Sequence, residues 1–525
     1  MSNVCIHDDC TLIGKYNDKC SLHCNKGDYS TDRMSGKLSD FYDDLSIYIY
    51  KGFSDSTIKG IFQYFSMNTD DEEKKENMDY LSKNLHLTED CQTIQQEIIY
   101  FRDIIFPTRD SRDKFDFFKL FTLFKGLHFD SSTISFSSLN LPNTQVFFQD
   151  CTFKNAWSIH SFSIIEDVSN QTLFQTCNFL REVSSASMEN SRDTLRLENY
   201  LFNDCKFNKQ LSFYRGAYKK NIFNNSNEYI QKISELNIEN CEFEEGLSLN
   251  KSEVDTLKIQ NMVFEGKVEL KECVIRYTLI SNVNFKSLFD AYKTKFNQFE
   301  INQSIFDDFS GFEKCEFGCS ANISLKKIEF EYVTFLNFTN FRKAKFHNGL
   351  DFEHTNLKES PNFLNAEINY QNTNRETFRI LKHSFDKIGN QIEANKYFAL
   401  EMRKYKEELK TKKGLSAEKA VLWLNESISN FGSSIFTPLF FMTITAIIYY
   451  FSVLGYENNC LYKIYEPLNE YIISIANIGN TFAKGIPPYG RFLKEGMEFV
   501  TLIYHIFFLM FTWHFIVAVK RCTKR

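Results

Sequence analysis

Glycine and proline are scarce. Only 20 Gly and 7 Pro occur in 525 residues, about half and about a quarter of ordinary usage. That scarcity excludes collagen-like chains, Gly/Ser linkers and Pro-rich disorder. It also disfavours an ordinary antiparallel sandwich, whose tight turns call on these residues. A strong charge of one sign is missing too: 61 Lys and Arg stand against 67 Asp and Glu, a net of −6. No nucleic-acid partner is expected on that balance. The first residues, Met1 to Asp9, lack the basic and apolar regions of a secretory signal, so the bulk of the chain is expected in a reducing cytosol. No phosphate-cradling Gly loop occurs, and no His pairs locally with Ser, Cys or a carboxylate in a nucleophile motif. The chain therefore reads as not an enzyme. Aromatics are abundant instead, with 55 Phe and 26 Tyr.

Those phenylalanines are periodic. Phe243, Phe264, Phe285 and Phe306 stand 21 residues apart, and so do Ile238, Ile259, Ile280 and Ile301. Leu247, Val268 and Phe289 share the step, as do Val254, Ile275 and Phe296, and Asn240, Asn261 and Asn282. Several columns at one period predict a solenoid whose coils bury their faces against one another. Further on, Phe330, Phe335, Phe341, Phe346, Phe352, Leu357, Phe363 and Ile368 alternate between five and six residues apart. A small residue often stands two before the bulky one: Val333, Ala344, Thr355, Ala366, and the Cys of Cys151, Cys177, Cys205, Cys241 and Cys315. One bulky inward residue per side, with a small neighbour, suits a four-sided coil, and these Cys read as small buried apolar groups.

In these residues the sequence resembles the pentapeptide-repeat family. The resemblance implies a right-handed quadrilateral β-helix over residues 131–370, clearest from 236 onwards. It departs from the family in using Phe where Leu is usual, and in irregular steps of 26, 28 and 36 from Phe153 through Phe179 and Phe207 to Phe243. Loops or broken coils are expected there. Leucine-rich repeats are the alternative fold, through Leu236 to Phe243; the five/six spacing argues against them. Family members that mimic DNA carry acidic rods. Residues 130–370 hold 32 acidic and 25 basic residues, 25 − 32 = −7, too thin a charge for that role.

The first 30 residues read as a zinc knuckle. Cys5, Cys10, Cys20 and His23 form Cys-x4-Cys-x9-Cys-x2-His, with Cys24 as the substitute for His23. Thiolates and imidazole in fours suit tetrahedral Zn²⁺, and a short gap lets paired ligands reach one ion. A site filled by four protein ligands is structural. Residues 31–130 read as a helical cap: Asp71–Lys75 is a solvated charged stretch, and Ile94, Ile98, Phe101 and Ile105 follow helical spacing up to Pro107.

Residues 371–426 read as a basic helical connector. Phe378, Leu381, Phe385 and Ile388 form one stripe, and Ala394, Phe398, Met402 and Tyr405 a second beyond Gly389. This stretch resembles the connector of membrane-anchored bacterial pentapeptide-repeat proteins, some of which carry an ion-channel-like pair of helices. Residues 427–525 read as a transmembrane hairpin with spans at 435–454 and 499–519. The second span is charge-free over 21 residues, about 31 Å of helix. Seven basic residues precede the first span between Arg403 and Lys419, and Lys520 to Arg525 holds four more. By the positive-inside rule both termini are cytoplasmic, in a multi-pass protein of the inner (cell) membrane.

The partners expected are the lipid bilayer and an unidentified cytosolic protein, with oligomerisation through the spans as a further option. The favoured function is a membrane-tethered solenoid presenting a cytosolic surface. The alternative is a channel gated by that solenoid, with Leu468–Ile478 as a re-entrant helix and His505 or His514 in the pore, although Gly485–Gly490 is no selectivity filter.

Overall fold

The computed structural model describes residues 4–8, 10–26, 36–67, 94, 96–109, 113–141, 144–159, 172–185, 195–226, 228–318, 327–411, 417–458, 469–485 and 492–523. The charged stretch Asp71–Lys75 lies outside them. The chain divides into two compact units: residues 1–348 with 354–368, and residues 349–353 with 369–525.

The first unit is dominated by parallel strands stacked in register. Strand Glu253–Phe264 pairs with Val274–Phe285, setting Val254 on Ile275, Ile259 on Ile280 and Phe264 on Phe285. The 21-residue period is thus the length of one coil, and each sequence column becomes a column of contacting side chains. Leu247 sits on Val268 and Val268 on Phe289 in a separate parallel sheet. Inward residues alternate with outward ones, as the two-residue pleat demands. The Phe column is a file of stacked rings: Phe264 to Phe285 at 5.5 Å, Phe285 to Phe306 at 4.7 Å and Phe306 to Phe335 at 4.8 Å.

The irregular early steps remain in this register. Phe153 pairs with Phe179 and Phe179 with Phe207, across 26 and 28 residues. The chain between them runs through 160–171 and 186–194, which are not among the described residues. The step of 36 joins two different columns, because Phe207 pairs with Ile233 while Phe243 pairs with Tyr218.

Corners explain the scarcity of glycine. Asn240, Asn261 and Asn282 all have φ of 54°, and Lys251, Glu272, Lys293, Lys314 and Lys343 turn a second corner at 56–59°. Each is held by the next coil: the Lys251 N–H donates to Lys271 O at 2.8 Å and that of Lys314 to Arg342 O at 2.9 Å. Left-handed backbone costs an L-residue about 1–2 kcal/mol, and Asn, whose side chain bonds locally, tolerates it best. Here Asn282 Nδ2 donates to Asn261 Oδ1 at 3.1 Å, and Asn261 Nδ2 to Glu239 Oε1 at 3.2 Å. Asn261→Val is expected to lower stability by about 1–2 kcal/mol, and Asn261→Gly to change it little. A denaturant midpoint for each variant checks this; equal midpoints would show that the corner is not strained.

The Cys that precede bulky residues are buried, and they bridge coils. Cys151 Sγ donates to Phe129 O at 3.4 Å, Cys205 Sγ to Phe174 O at 3.3 Å and Cys315 Sγ to Ala291 O at 2.7 Å. Cys273 does the same to Leu249 O. Burial pushes the thiols of Cys177 and Cys315 well above their ordinary value and that of Cys241 up to about 11.

Two helices, α1 (Lys37–Gly52) and α2 (Ser56–Ser66), precede the stack. The helical reading is corrected beyond them. Ile98–Arg102 is a strand, paired in parallel with Gly126–Asp130 from Ile98–Gly126 to Arg102–Asp130. Stacking therefore begins before residue 131. The run Ile98-Ile-Tyr-Phe101 is β-branched and aromatic, and burial of Ile99 and Phe101 on one face of a strand prevails over the helical spacing. A short helix, α3 (Phe118–Phe121), adds Phe117, Phe118 and Phe121 to a cluster with Phe106, Phe129 and Phe136.

The second unit is helical: α4 (Arg375–Lys387), α5 (Gln391–Thr411), α6 (Ala417–Ser429), α7 (Phe436–Glu457), α8 (Asn469–Lys484) and α9 (Glu498–Thr523). Asn374 caps α4 by accepting from Thr377 N at 3.0 Å, and Gly389, at φ of 79°, ends the turn after it. Phe378, Leu381 and Phe385 are buried as expected, but Ile388 is 64% exposed because it lies past the last helical turn. Two helices are long and apolar enough to cross a membrane, Phe436–Glu457 and Glu498–Arg521.

Candidate metal centre

The N-terminal segment is built from short turns. Cys5 N donates to Leu12 O at 2.9 Å, opposite an antiparallel bridge between Val4 and Ile13. Asn17 and Asp18, both with positive φ, close a tight turn between Tyr16 and Lys19. Cys20 then opens a single helical turn, with His23 N and Cys24 N both donating to Cys20 O. Residues three apart on such a turn share a face, which puts Cys20 and His23 together. Cys24, one position further, faces away and donates to Ser21 O at 3.6 Å.

Cys5, Cys10, Cys20 and His23 converge: one ligand atom from each lies within 4.8 Å of every other. Cys10 Sγ to Cys20 Sγ is 3.7 Å, Cys5 Sγ to His23 Nδ1 is 3.6 Å, and Cys20 Sγ to His23 Nδ1 is 3.2 Å. A tetrahedral Zn²⁺ with ordinary bond lengths would set S···S at about 3.8 Å and S···N at about 3.6 Å. Two of the three edges match closely, and the third is shorter. Cys24, the substitute for His23, is not among these converging ligand atoms; its sulphur donates to Ser21 O instead.

Electrostatics point the same way. Burial, with help from His7, pushes His23 down to about 4, so its imidazole is neutral near pH 7 with a lone pair to offer. Burial pushes the Cys20 thiol up to about 12 and that of Cys10 above its ordinary value. The Cys5 thiol is raised by burial but lowered more by hydrogen bonds from the backbones of Cys20 and His7. Three sulphurs at such spacing cannot all ionise beside one another unless a cation neutralises them. The cluster is therefore compatible with a structural metal, which its three sulphurs and one imidazole could hold.

Sequence spacing does not flag the groups that support the site. The His7 ring stacks on His23 at 4.0 Å. Ser21 Oγ donates to Asp44 Oδ2 at 2.6 Å, and Tyr16 OH to Asp40 Oδ2 at 2.6 Å, fastening the segment to α1. Lys26 Nζ donates to Leu22 O and Cys24 O. Ile105 N donates to Leu22 O at 2.9 Å, joining the segment to the first coil.

In the helical unit, His514 Nδ1 lies 3.2 Å from Ser429 Oγ, so this histidine makes a helix contact. His505 Nδ1 is buried without a hydrogen-bond partner among the described residues. Asn395 Nδ2 donates to Arg521 O at 2.8 Å, and the Arg521 guanidinium lies over the Phe398 ring and donates to Phe431 O. Helix α5 and the turn after α6 thus grip the end of α9. Compared with protein-family models, curated proteins and solved structures, the chain matches none.

Proposed function

We propose that this chain is a non-enzymatic, membrane-anchored protein of the pentapeptide-repeat kind. Its parallel stack would be a right-handed quadrilateral β-helix, and Cys5, Cys10, Cys20 and His23 would hold a structural Zn²⁺ that caps its first coil. The two apolar helices would form a hairpin in the cell (inner) membrane with both termini cytoplasmic, and the stack would present its outer faces to a cytosolic protein. The observation that carries this reading is the union of a regular coil stack with two apolar helices behind a basic connector. Stacked coils leave long, rigid, repetitive outer faces, and such surfaces serve recognition in solenoid proteins generally.

A second reading, a channel gated by the stack, is favoured by the grip of α5 and the turn after α6 on Arg521, which would pass force from the connector to a span. One experiment separates the two. The full-length protein, in membranes resistant to alkaline carbonate, is purified in detergent, sized, and reconstituted for ion-flux assay. A monomer without flux is expected. A ring-shaped oligomer that conducts would sink the anchor reading, and extraction by carbonate would sink both.

A further inference from the structure

Between the spans, α8 presents three distinct faces. At about 100° per residue, Gly479, Asn480 and Ala483 fall on one side. That side docks on the start of α9. Asn480 Oδ1 accepts from Phe499 N at 2.9 Å, and Asn480 Nδ2 donates to Gly496 O at 3.2 Å. A side chain at Gly479 would meet the Phe499 ring at 3.0 Å, so the helices touch closely. Lys484 Nζ bonds Glu498 Oε1 at 2.8 Å and closes the other end of the contact.

That docking fixes the rotation of α8, and with it the direction of the second face. Ile475, Ile478 and Phe482 stand on one stripe at 67%, 68% and 64% exposure. The third face is polar, carrying Ser474, Asn477 and Thr481. Exposed apolar surface continues onto the spans themselves, through Phe499, Ile503 and Ile506 of α9. A three-residue apolar stripe beside a polar one, on a helix too short to cross, is the pattern of a helix lying in the plane of an interface.

We infer that α8 is an interfacial helix of the far leaflet, its Ile475–Ile478–Phe482 stripe set among lipid acyl chains and Thr481 and Asn477 turned to the headgroups. This rests on the membrane-hairpin reading and goes beyond it: the connection between spans is itself a lipid-binding surface. It is neither a pore lining nor a free loop. Continuity with the apolar surface of α9 selects lipid as the occupant over a soluble partner.

The test uses the full chain in phosphatidylcholine–phosphatidylglycerol vesicles, with Trp423 and Trp513 replaced by Phe and the buried Trp157 kept as a common background subtracted from every variant. Ile475→Trp, Phe482→Trp and Thr481→Trp are compared for quenching by lipids brominated near the headgroup end or near the end of the acyl chain. Emission at 475 and 482 is expected to fall about twofold with the shallow bromines, less with the deep ones, and little at 481. Two exposed sites keep the test sound if one variant misfolds. Equal quenching on both faces, or none, overturns the inference; stronger quenching by deep bromines overturns it in favour of a re-entrant helix. The same chain with Trp513 restored, 67% exposed on α9, and no Trp added to α8 reports separately on the spans: if its emission too escapes quenching, the hairpin reading has failed rather than the placement of α8.

Discussion

Replacing Cys20 by Ser is expected to abolish metal binding, taking the zinc content of the purified protein from about one ion per chain to near zero. Cys20 is the hub of the site, with its sulphur 3.7 Å from that of Cys10 and 3.2 Å from His23 Nδ1, and its N–H donating to Cys5 Sγ at 3.2 Å. Apart from its hydrogen bonds to α1 and to Ile105, the segment around it has little apolar packing to keep it folded. Its apolar interior amounts to Leu12, Leu22, Cys24 and the ligands themselves among the described residues, while Val4, Ile6 and Ile13 are exposed. Metal ligation of this type contributes on the order of 10 kcal/mol to the folding of small metal-dependent elements. That exceeds what so small an apolar interior supplies at about 1.5–3 kcal/mol per buried side chain.

Loss of the ion should therefore unfold residues 4–26 while the coils beyond stay stacked. Hydrogen exchange measures this directly: protection at Cys5, Ile6 and Cys24 should vanish, and protection across Glu253–Phe285 should persist. Cys24→Ser is the control. Because that sulphur turns away to Ser21 O, its loss should cost no more than about 1 kcal/mol and leave the zinc content unchanged. A Cys20→Ser protein that keeps its zinc, or a Cys24→Ser protein that loses it, would remove Cys5, Cys10, Cys20 and His23 as the ligand set.

The convergence of the Cys/His cluster was legible because its information is local: a Cys-x2-His gap needs only one helical turn to bring both side chains to one side. Spacing put His23 first and Cys24 as its substitute, and which of the two joins the cluster depends on where that turn starts. Columns such as Val254, Ile275 and Phe296 translate directly into register partners because a stacked coil repeats its geometry at a fixed chain length. The Asn240–Asn261–Asn282 column was visible as repetition, but its meaning, a left-handed corner, appears only in the backbone angles. Cys273 escapes the Cys-x-Phe pattern because Ile275 stands where Phe is usual, although the side chain does the same work. The stretch from Ile98 to Arg102 misleads because Ile94, Ile98, Phe101 and Ile105 satisfy helical spacing; only pairing with Gly126–Asp130, distant in sequence, decides for a strand. Helix α6 is hidden for a related reason, its apolar residues running into the apolar helix that follows.

Phe285→Ala should be the most damaging single change within the coils. The ring is buried, lies parallel to Phe264 at 5.5 Å and Phe306 at 4.7 Å, and meets Phe289 edge-on at 5.0 Å. Removing a buried Phe typically costs about 3–5 kcal/mol, because the surrounding coils cannot close on the cavity. The stacking geometry adds about 0.5–1.5 kcal/mol per aromatic pair beyond area burial. Coils contact only their neighbours, so the loss should be local before it is global. Exchange should rise first in Glu253–Phe264, Val274–Phe285 and Ile305–Phe306, whose rings touch the vacancy, and last near Gly126–Asp130. The comparison is Phe338→Ala, which removes a ring 38% exposed on the outer surface and stacked, among the described residues, only on Phe309 at 6.2 Å. That change should shift the thermal midpoint far less. Phe285→Leu keeps much of the apolar volume and should fall between the two. If Phe285→Ala and Phe338→Ala were equally mild, the file of inward rings would not be what holds the coils together, and the solenoid reading would lose its energetic basis.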